Sequence, residues 1–193
     1  MSEALTELFG SHLVDLQMLG NEPIIVDAGA STGAFIKDIR EKVKNPKIYA
    51  IEPCKNNQLE LVTFKRLTIF DAALVGKHRP ETMTFYEKSG LPEWGNVNNL
   101  YPNRKGSQYE VFTITIDKIL SVVDAGHIDY LKMDIEGSEE EVIYDLTPQT
   151  AKRISQISME LHGVSFVKMT DLLQSLGYQT TYKNGELYGR QKL

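Results

Sequence analysis

The chain has 193 residues, with 26 acidic side chains against 21 basic ones and a formal net charge of −5. That length suits one domain that buries a core without staples, and the acidic balance leaves no general footprint for nucleic acid. The single cysteine, Cys54, excludes an internal disulfide. No apolar run nears the ~20 residues of a membrane span, and the start lacks a signal-peptide pattern, so a cytoplasmic location is expected.

In chain order, residues 2–19 place Leu5, Leu8, Phe9, Leu13, Leu16 and Leu19 on one side of a helix. Gly10 weakens that helix and Gly20 stops it, and its expected role is to cap the fold. Ile24–Ala28 is a strand carrying Asp27 near its end. A turn, Gly29-Ala30-Ser31-Thr32-Gly33, opens a helix whose face is Phe35, Ile36, Ile39 and Val43, with Thr32 as its N-cap and Asn45-Pro46 beyond its end. Residues 47–51 form a second strand that runs into Glu52-Pro53. Residues 55–64 suit a short helix, and Leu67–Leu74 reads as a third strand with Asp71 near its end.

Strand, glycine turn and helix are what a doubly wound sheet uses to bring backbone close to a nucleotide-like ligand. A dinucleotide fingerprint needs G-x-G-x-x-G, but here only Gly29 and Gly33 are glycine and Ser31 holds the middle position. Asp27 also sits where a pyrophosphate would meet an anion. An acid there suits an amino group and a cationic centre, and Glu52 can accept both hydroxyls of a ribose. The set Asp27, Gly29, Gly33 and Glu52 therefore fits S-adenosylmethionine better than a dinucleotide, beside the plainer reading of a glycine turn in an α/β protein with unrelated acids. Asp71 either accepts an adenine amino group or is a turn acid without a ligand.

Thr82–Tyr86 alternates and reads as an extra strand. Residues 88–107 are rich in Gly, Pro and Asn and hold the only tryptophan, Trp94. Two readings stay open: a substrate lid carrying Trp94, Asn98, Asn99 and Tyr101, or a mobile surface loop. Its Asn103-Arg104-Lys105 is too short a basic run to recruit nucleic acid. Residues 109–116 form a strand, and Asp117 caps a helix over 118–123. A strand from Ile128 runs into Asp134-Ile135-Glu136-Gly137, and Ser138 with Glu141 reads as a capping box for a helix over 139–146. The fifth strand, Ile154–Glu160, ends in Glu160-Leu161-His162-Gly163. A helix over 166–176 stops at Gly177, and Asn184-Gly185 marks a hairpin. The alternation predicts an α/β fold, a mostly parallel sheet with helices on both faces and one antiparallel strand at its end.

With Ile24–Phe35, Ile48–Pro53, Asp71-Ala72-Ala73 and above all Ile128–Glu139 in view, the chain resembles the FkbM family of methyltransferases over roughly residues 22–177. The specific stretch is Ile-Asp-Tyr-Leu-Lys-Met-Asp-Ile-Glu-Gly-Ser-Glu. The resemblance implies a Rossmann-like class I methyltransferase fold with a mostly parallel seven-stranded sheet. It also implies S-adenosyl-L-methionine as cofactor and methylation of a hydroxyl on a sugar or small natural product. On that carry-over Asp27, Gly29 and Gly33 frame the methionine end, Glu52 holds the ribose and Asp71-Ala72 borders the adenine, with Ala30, Ser31 and Pro53 counted among the cofactor-binding residues. Ser31 departs from the glycine-richer form of the turn.

Methyl transfer to a hydroxyl needs alignment and removal of a proton. The strand ends select Asp134, Glu136, Glu160 and His162 for that work. His162 is a base suited to neutral pH or a histidine hydrogen-bonded in a turn. Lys132, on the same strand face as Asp134, serves to neutralise it. Asp134, Glu160 and His162 could converge on a divalent metal, but no tight ligand spacing supports one, so none is expected. Asp-Ile-Glu-Gly replaces the Asn-Pro-Pro-aromatic turn of amino methylation, and no Lys-Asp-Lys-Glu set for ribose methylation can be assembled. The competing functions are a non-catalytic module binding S-adenosylmethionine or a nucleotide, and a nicotinamide-dependent oxidoreductase. The expected partner is a small-molecule or saccharide acceptor, with neither nucleic acid nor membrane.

Overall fold

The structure, a computed structural model, describes residues 6–7, 12–88, 91–98 and 106–192. Two short strands, β1 (Thr6–Glu7) and β2 (Leu13–Val14), precede β3 (Ile24–Ala28), α1 (Ala34–Lys42), β4 (Lys47–Ile51), α2 (Lys55–Leu61) and β5 (Leu67–Phe70). Then come β6 (Ala72–Leu74), β7 (Thr82–Lys88), β8 (Leu91–Asn96) and β9 (Gln108–Ile114), followed by α3 (Ile116–Val122), β10 (Ile128–Met133) and α4 (Glu139–Tyr144). The remainder is α5 (Pro148–Ala151), β11 (Ile154–Glu160), α6 (Phe166–Ser175), β12 (Tyr178–Lys183) and β13 (Glu186–Gln191).

Seven strands form the main sheet in the order β12-β13-β11-β10-β3-β4-β5. All neighbours are parallel except β13, which runs antiparallel to both β11 and β12. The antiparallel strand therefore lies one place in from the edge rather than at it. The Asn184-Gly185 turn allows this, with φ of 53° and 90°, the mirror-image geometry that matches strand twist. Ile24, Val26 and Ala28 of β3 face the cluster that α3, α4 and α6 complete, while Ile25 faces Phe35, Ile36 and Ile39 of α1. Covered on both faces, β3 reads as a nearly unbroken apolar run. Asp27 interrupts it, directly opposite Lys132 of β10, and both are buried.

Several local expectations are corrected. The described part of residues 2–19 holds two paired strands and a 3-10 turn at Leu16–Met18, not an α-helix; residues 1–5 and 8–11 lie outside the described residues. Long-range bonding overrides the helical period. Leu13 N donates to Ser158 Oγ (3.1 Å), Asp15 N donates to Gln156 Oε1 (2.8 Å), and Tyr130 OH donates to Leu13 O (3.0 Å). Buried Ser158 and Gln156 on β11 need partners, and an extended backbone supplies them.

The expected third strand breaks at Asp71 into β5 and β6, which join different sheets. β6, β9, β7 and β8 form the second, four-stranded sheet, so part of the 88–107 segment is strand rather than loop, with Tyr86 opposite Asn96. Asn99 and Tyr101 lie outside the described residues, as does the side chain of Trp94. Helix α1 enters through Gly33 at φ 84° with no side-chain cap, so Thr32 is not its cap. Thr115 caps α3 in place of Asp117, whose carboxylate instead meets Lys77 (2.8 Å) and Thr150 (3.1 Å). The capping box does not form either: Ser138 Oγ accepts from Asn98 Nδ2 (2.9 Å), and Glu141 accepts from Arg79 Nε (2.7 Å). For Asp117, Ser138 and Glu141 a residue from a distant segment takes the side chain.

Candidate active site

The chain runs outward from β3 to β4 and β5 on one side, and to β10 and β11 on the other. Between β3 and β10 lies the switch point beyond which open α/β sheets hold their ligands. A cleft of about 850 Å³ opens there. Its walls include Gly29, Ala30 and Ser31 after β3, Glu52 and Pro53 after β4, Asp134 and Glu136 after β10, and Glu160 and His162 at the end of β11. Ala73, Leu74 and the segment Gly95–Val97 add a wall from the second sheet. His12, in a segment expected to be helical, also faces the cleft and contacts Glu186 Oε1 at 3.0 Å; nothing in its sequence surroundings signals this.

The β3 turn is built by exclusion. Gly29 has φ 74°, and a Cβ there would lie 1.7 Å from the carbonyl oxygen of Asp134. A Cβ on Gly33 would meet the Phe64 ring at 2.8 Å. Both glycines are therefore required by protein packing whatever the ligand. Ser31 takes φ 48°, left-handed for a residue with a side chain, which is the conformation that a glycine at this position adopts without strain.

Glu52 ties this turn to β4. Its Oε2 accepts from Ser31 N and its Oε1 from Cys54 N, both at 2.7 Å. Burial pushes its carboxyl up to about 7, against the pull of those two N–H groups. Asp27 lies beneath the cleft, wholly buried and outside its wall. Burial raises its pKa and the neighbouring ammonium of Lys132, 3.2 Å from Oδ1, opposes the rise. Lys132 Nζ also donates to Gly29 O (2.7 Å), and Asp134 Oδ2 is farther off at 3.7 Å, so Lys132 serves Asp27 and the turn before Asp134. The Asp71 carboxylate accepts from Lys55 and from Gln58 Nε2 (2.7 Å), which turns it toward α2; it and Ala72 stand outside the cleft wall.

On the other side everything converges on His162. Its Nδ1 is 3.0 Å from Glu139 Oε1, and its Nε2 faces Glu136 and Glu160 at 3.7 Å and Asp134 at 3.9 Å. Burial alone would lower the ring's pKa, but the hydrogen bond to Glu139 and the surrounding carboxylates push it up to about 9. Burial and their carboxylate neighbours raise Glu136 and Glu160, with His162 opposing. Ligand atoms of Asp134, Glu160 and His162 lie within 4.8 Å of one another, a spacing a divalent cation could bridge. Glu139 was missed as a site residue because an acid in a first helical turn already has a sufficient local reason.

The cleft fits S-adenosylmethionine by size and by chemistry. Its volume lies within the roughly 300–1,000 Å³ of small-molecule sites. Four carboxylates, Glu52 among them, outnumber the cations along its wall, which suits a sulfonium.

Fold and cleft together define a Rossmann-like class I methyltransferase dependent on S-adenosylmethionine. The profile of the Methyltransferase FkbM domain matches residues 27–180, and the chain belongs to that family. Methyltransferase sdnD of Sordaria araneosa is 27% identical over 224 residues, covering 93% of this chain and 83% of that protein. The AMB antimetabolite synthetase AmbE of Pseudomonas aeruginosa is 20% identical over 88% of this chain, which spans only 10% of that protein's length. Among solved structures, the METTL16 methyltransferase domain superposes with a TM-score of 0.55 at 10% identity, covering 92% of this chain and 64% of that one. A putative rRNA methylase from Clostridium thermocellum gives 0.52 at 10% identity, covering 92% of each. At such identities the likeness is one of fold. Among the described residues no helix is long and apolar enough to cross a membrane.

Proposed function

We propose that the chain methylates a hydroxyl oxygen on a small molecule or sugar. One observation carries this reading: His162 turns Nε2 into the cleft among Asp134, Glu136 and Glu160, while its other nitrogen is held by a buried carboxylate. A hydroxyl is a poor nucleophile until its proton is taken, and an oriented imidazole accepts it only in its neutral form, so turnover should rise with pH toward 9. When bound, S-adenosylmethionine supplies the electrophile, a methyl group on positively charged sulfur.

The chain's own residues divide the remaining work. Glu52, with Pro53 beside it, would accept the ribose hydroxyls, and the Gly29–Ser31 backbone would approach the methionine end. Asp27 would act from below, fixing Lys132 and through it the carbonyl of Gly29. Gly33 starts the helix behind that turn. Ala73 and Leu74 offer an apolar wall toward the adenine end, with Asp71 and Ala72 behind it. His162 takes the hydroxyl proton, with Asp134 and Glu136 holding the imidazolium that results. The segment Gly95–Val97 lines the cleft and would meet the acceptor. The relative within an antimetabolite synthetase fits a small-molecule acceptor.

The test is a panel of hydroxylated sugars and natural products offered with methyl-labelled cofactor, the products read by carbon NMR. A methyl ether signal is expected. Label found only on nitrogen or carbon, with amines and activated carbons in the same panel, would overturn the hydroxyl assignment.

A further inference from the structure

Behind His162 stands a carboxylate that the reaction as described does not use. Glu139 opens α4 fully buried, and a carboxyl so placed must have its oxygens satisfied. Ile135 N donates to Oε1 at 3.2 Å, and Gly137 N donates to Oε2 at 3.1 Å. The same Oε1 is 3.0 Å from Nδ1 of His162. One side chain thus gathers two loops, the turn after β10 that carries Asp134 and Glu136, and the turn after β11 that carries His162.

Two features mark this arrangement as more than a helix start. Glu139, Glu140 and Glu141 are consecutive, yet they diverge: Glu140 pairs with Lys168, and Glu141 accepts from Arg79 and faces Gly76 N. Only Glu139 turns inward. Glu136, bracketed by the two N–H groups that Glu139 accepts, holds φ 53°. A residue with a side chain keeps such a conformation only where its surroundings over-determine it, at roughly 1–3 kcal/mol of strain.

We propose that Glu139 is the positioning residue of the site: it accepts the Nδ1–H of His162 so that the neutral ring presents a bare Nε2 to the acceptor, and it pins the Glu136 turn. It touches neither cofactor nor acceptor and acts through His162, so the proposal rests on the reading of His162 as the base. The logic is that of any base whose tautomer is set by a third group.

Two measurements test it. The first uses the unaltered protein: long-range proton–nitrogen spectra of the histidines, with His162 assigned by its loss in His162→Ala. The expected pattern is an Nδ1 proton shifted far downfield at neutral pH, retained when the ring is titrated to neutrality above pH 9, with Nε2 then bare. A neutral ring protonated on Nε2 overturns the proposal. The second compares Glu139→Ala with Glu139→Gln. Turnover should fall in Glu139→Ala toward the roughly 10²–10⁴-fold that the base supplies, with cofactor affinity nearly unchanged. Glu139→Gln, which keeps an accepting oxygen for Nδ1–H, should recover a measurable part. Equal losses in both variants, or a cofactor affinity that falls in step with turnover, would mark Glu139 as merely structural. Should His162→Ala retain full turnover while the Nδ1 proton is found as expected, the reading of the base fails and the placement of the ring survives. Should Glu139→Ala not fold, the spectrum of the unaltered protein and the Glu139→Gln kinetics still decide.

Discussion

The two halves of the cleft are built by different means. Over β3 and β4 the wall is backbone: Gly29 and Gly33 leave no room for a Cβ, and Glu52 is satisfied by the N–H groups of Ser31 and Cys54. Over β10 and β11 it is side-chain charge, with one imidazole facing Glu136, Glu160 and Asp134 at 3.7 to 3.9 Å and backed by a fourth carboxylate. A wall of backbone suits a ligand common to a whole family, since it is fixed by packing. A wall of titratable side chains suits a step in which a proton moves, and it lets the acceptor change without disturbing the cofactor half. This division separates the effects of substitution by where they fall.

The largest effect is expected at the charged half. His162→Ala should lower turnover by about 10²–10⁴-fold, the usual worth of a general base, and Asp134→Asn by less. Assays with and without a chelator check the proton-handling reading: loss of activity on chelation alone would make Asp134, Glu160 and His162 metal ligands instead.

Next comes the backbone half. Glu52→Gln keeps one accepting oxygen but removes the charge, and should weaken S-adenosylmethionine by roughly 10- to 100-fold, as expected for about 1.5–3 kcal/mol of charge-assisted hydrogen bonding. Titration calorimetry reads this directly. Because Glu52 also braces Ser31 and Cys54, its thermal midpoint should be recorded with it, and Glu52→Ala should be the less stable of the two variants.

A third effect, on stability against pH, joins the halves. Glu52, raised to about 7 from 4.5, contributes stability that is present below 4.5 and declines as pH rises through 7. His162, raised to about 9 from 6.5, contributes stability that is complete below 6.5 and lost as pH rises through 9. Both act in the same direction, each by at most about 1.4 kcal/mol per pH unit, so the thermal midpoint should fall between pH 5 and pH 9. Glu52→Gln should flatten the lower part of that fall and His162→Ala the upper part. A midpoint constant across the range contradicts both assignments.

What the sequence disclosed follows the same division. The alternation of strands and helices, the glycine turn and the acid ending β4 are local patterns, and each stands where its spacing placed it. The N-terminal segment failed because its leucines keep a helical period, while Ser158 and Gln156, more than 140 residues away, bind its backbone as an extended chain. Thr32, Asp117 and the Ser138–Glu141 pair failed alike: each has sound capping chemistry, but a left-handed glycine, Lys77 with Thr150, and Asn98 with Arg79 take precedence. His12 and Glu139 reach the site through contacts between segments far apart in the chain, and no local spacing announces them. His162, Asp134, Glu136 and Glu160 were visible as candidates, but Glu139, whose hydrogen bond does most to raise the ring's pKa, became apparent only once β10, α4 and β11 were side by side.

The central claim is that cofactor binding belongs to the ends of β3 and β4 and proton removal to the ends of β10 and β11. The most direct test is a crossed titration: S-adenosylmethionine into the unaltered protein, Glu52→Gln, His162→Ala and the double variant, each confirmed folded by its thermal midpoint. The account predicts that His162→Ala binds as the unaltered protein does and that the double variant binds as Glu52→Gln does. If His162→Ala loses as much affinity as Glu52→Gln, the two halves are not separate and the account is wrong.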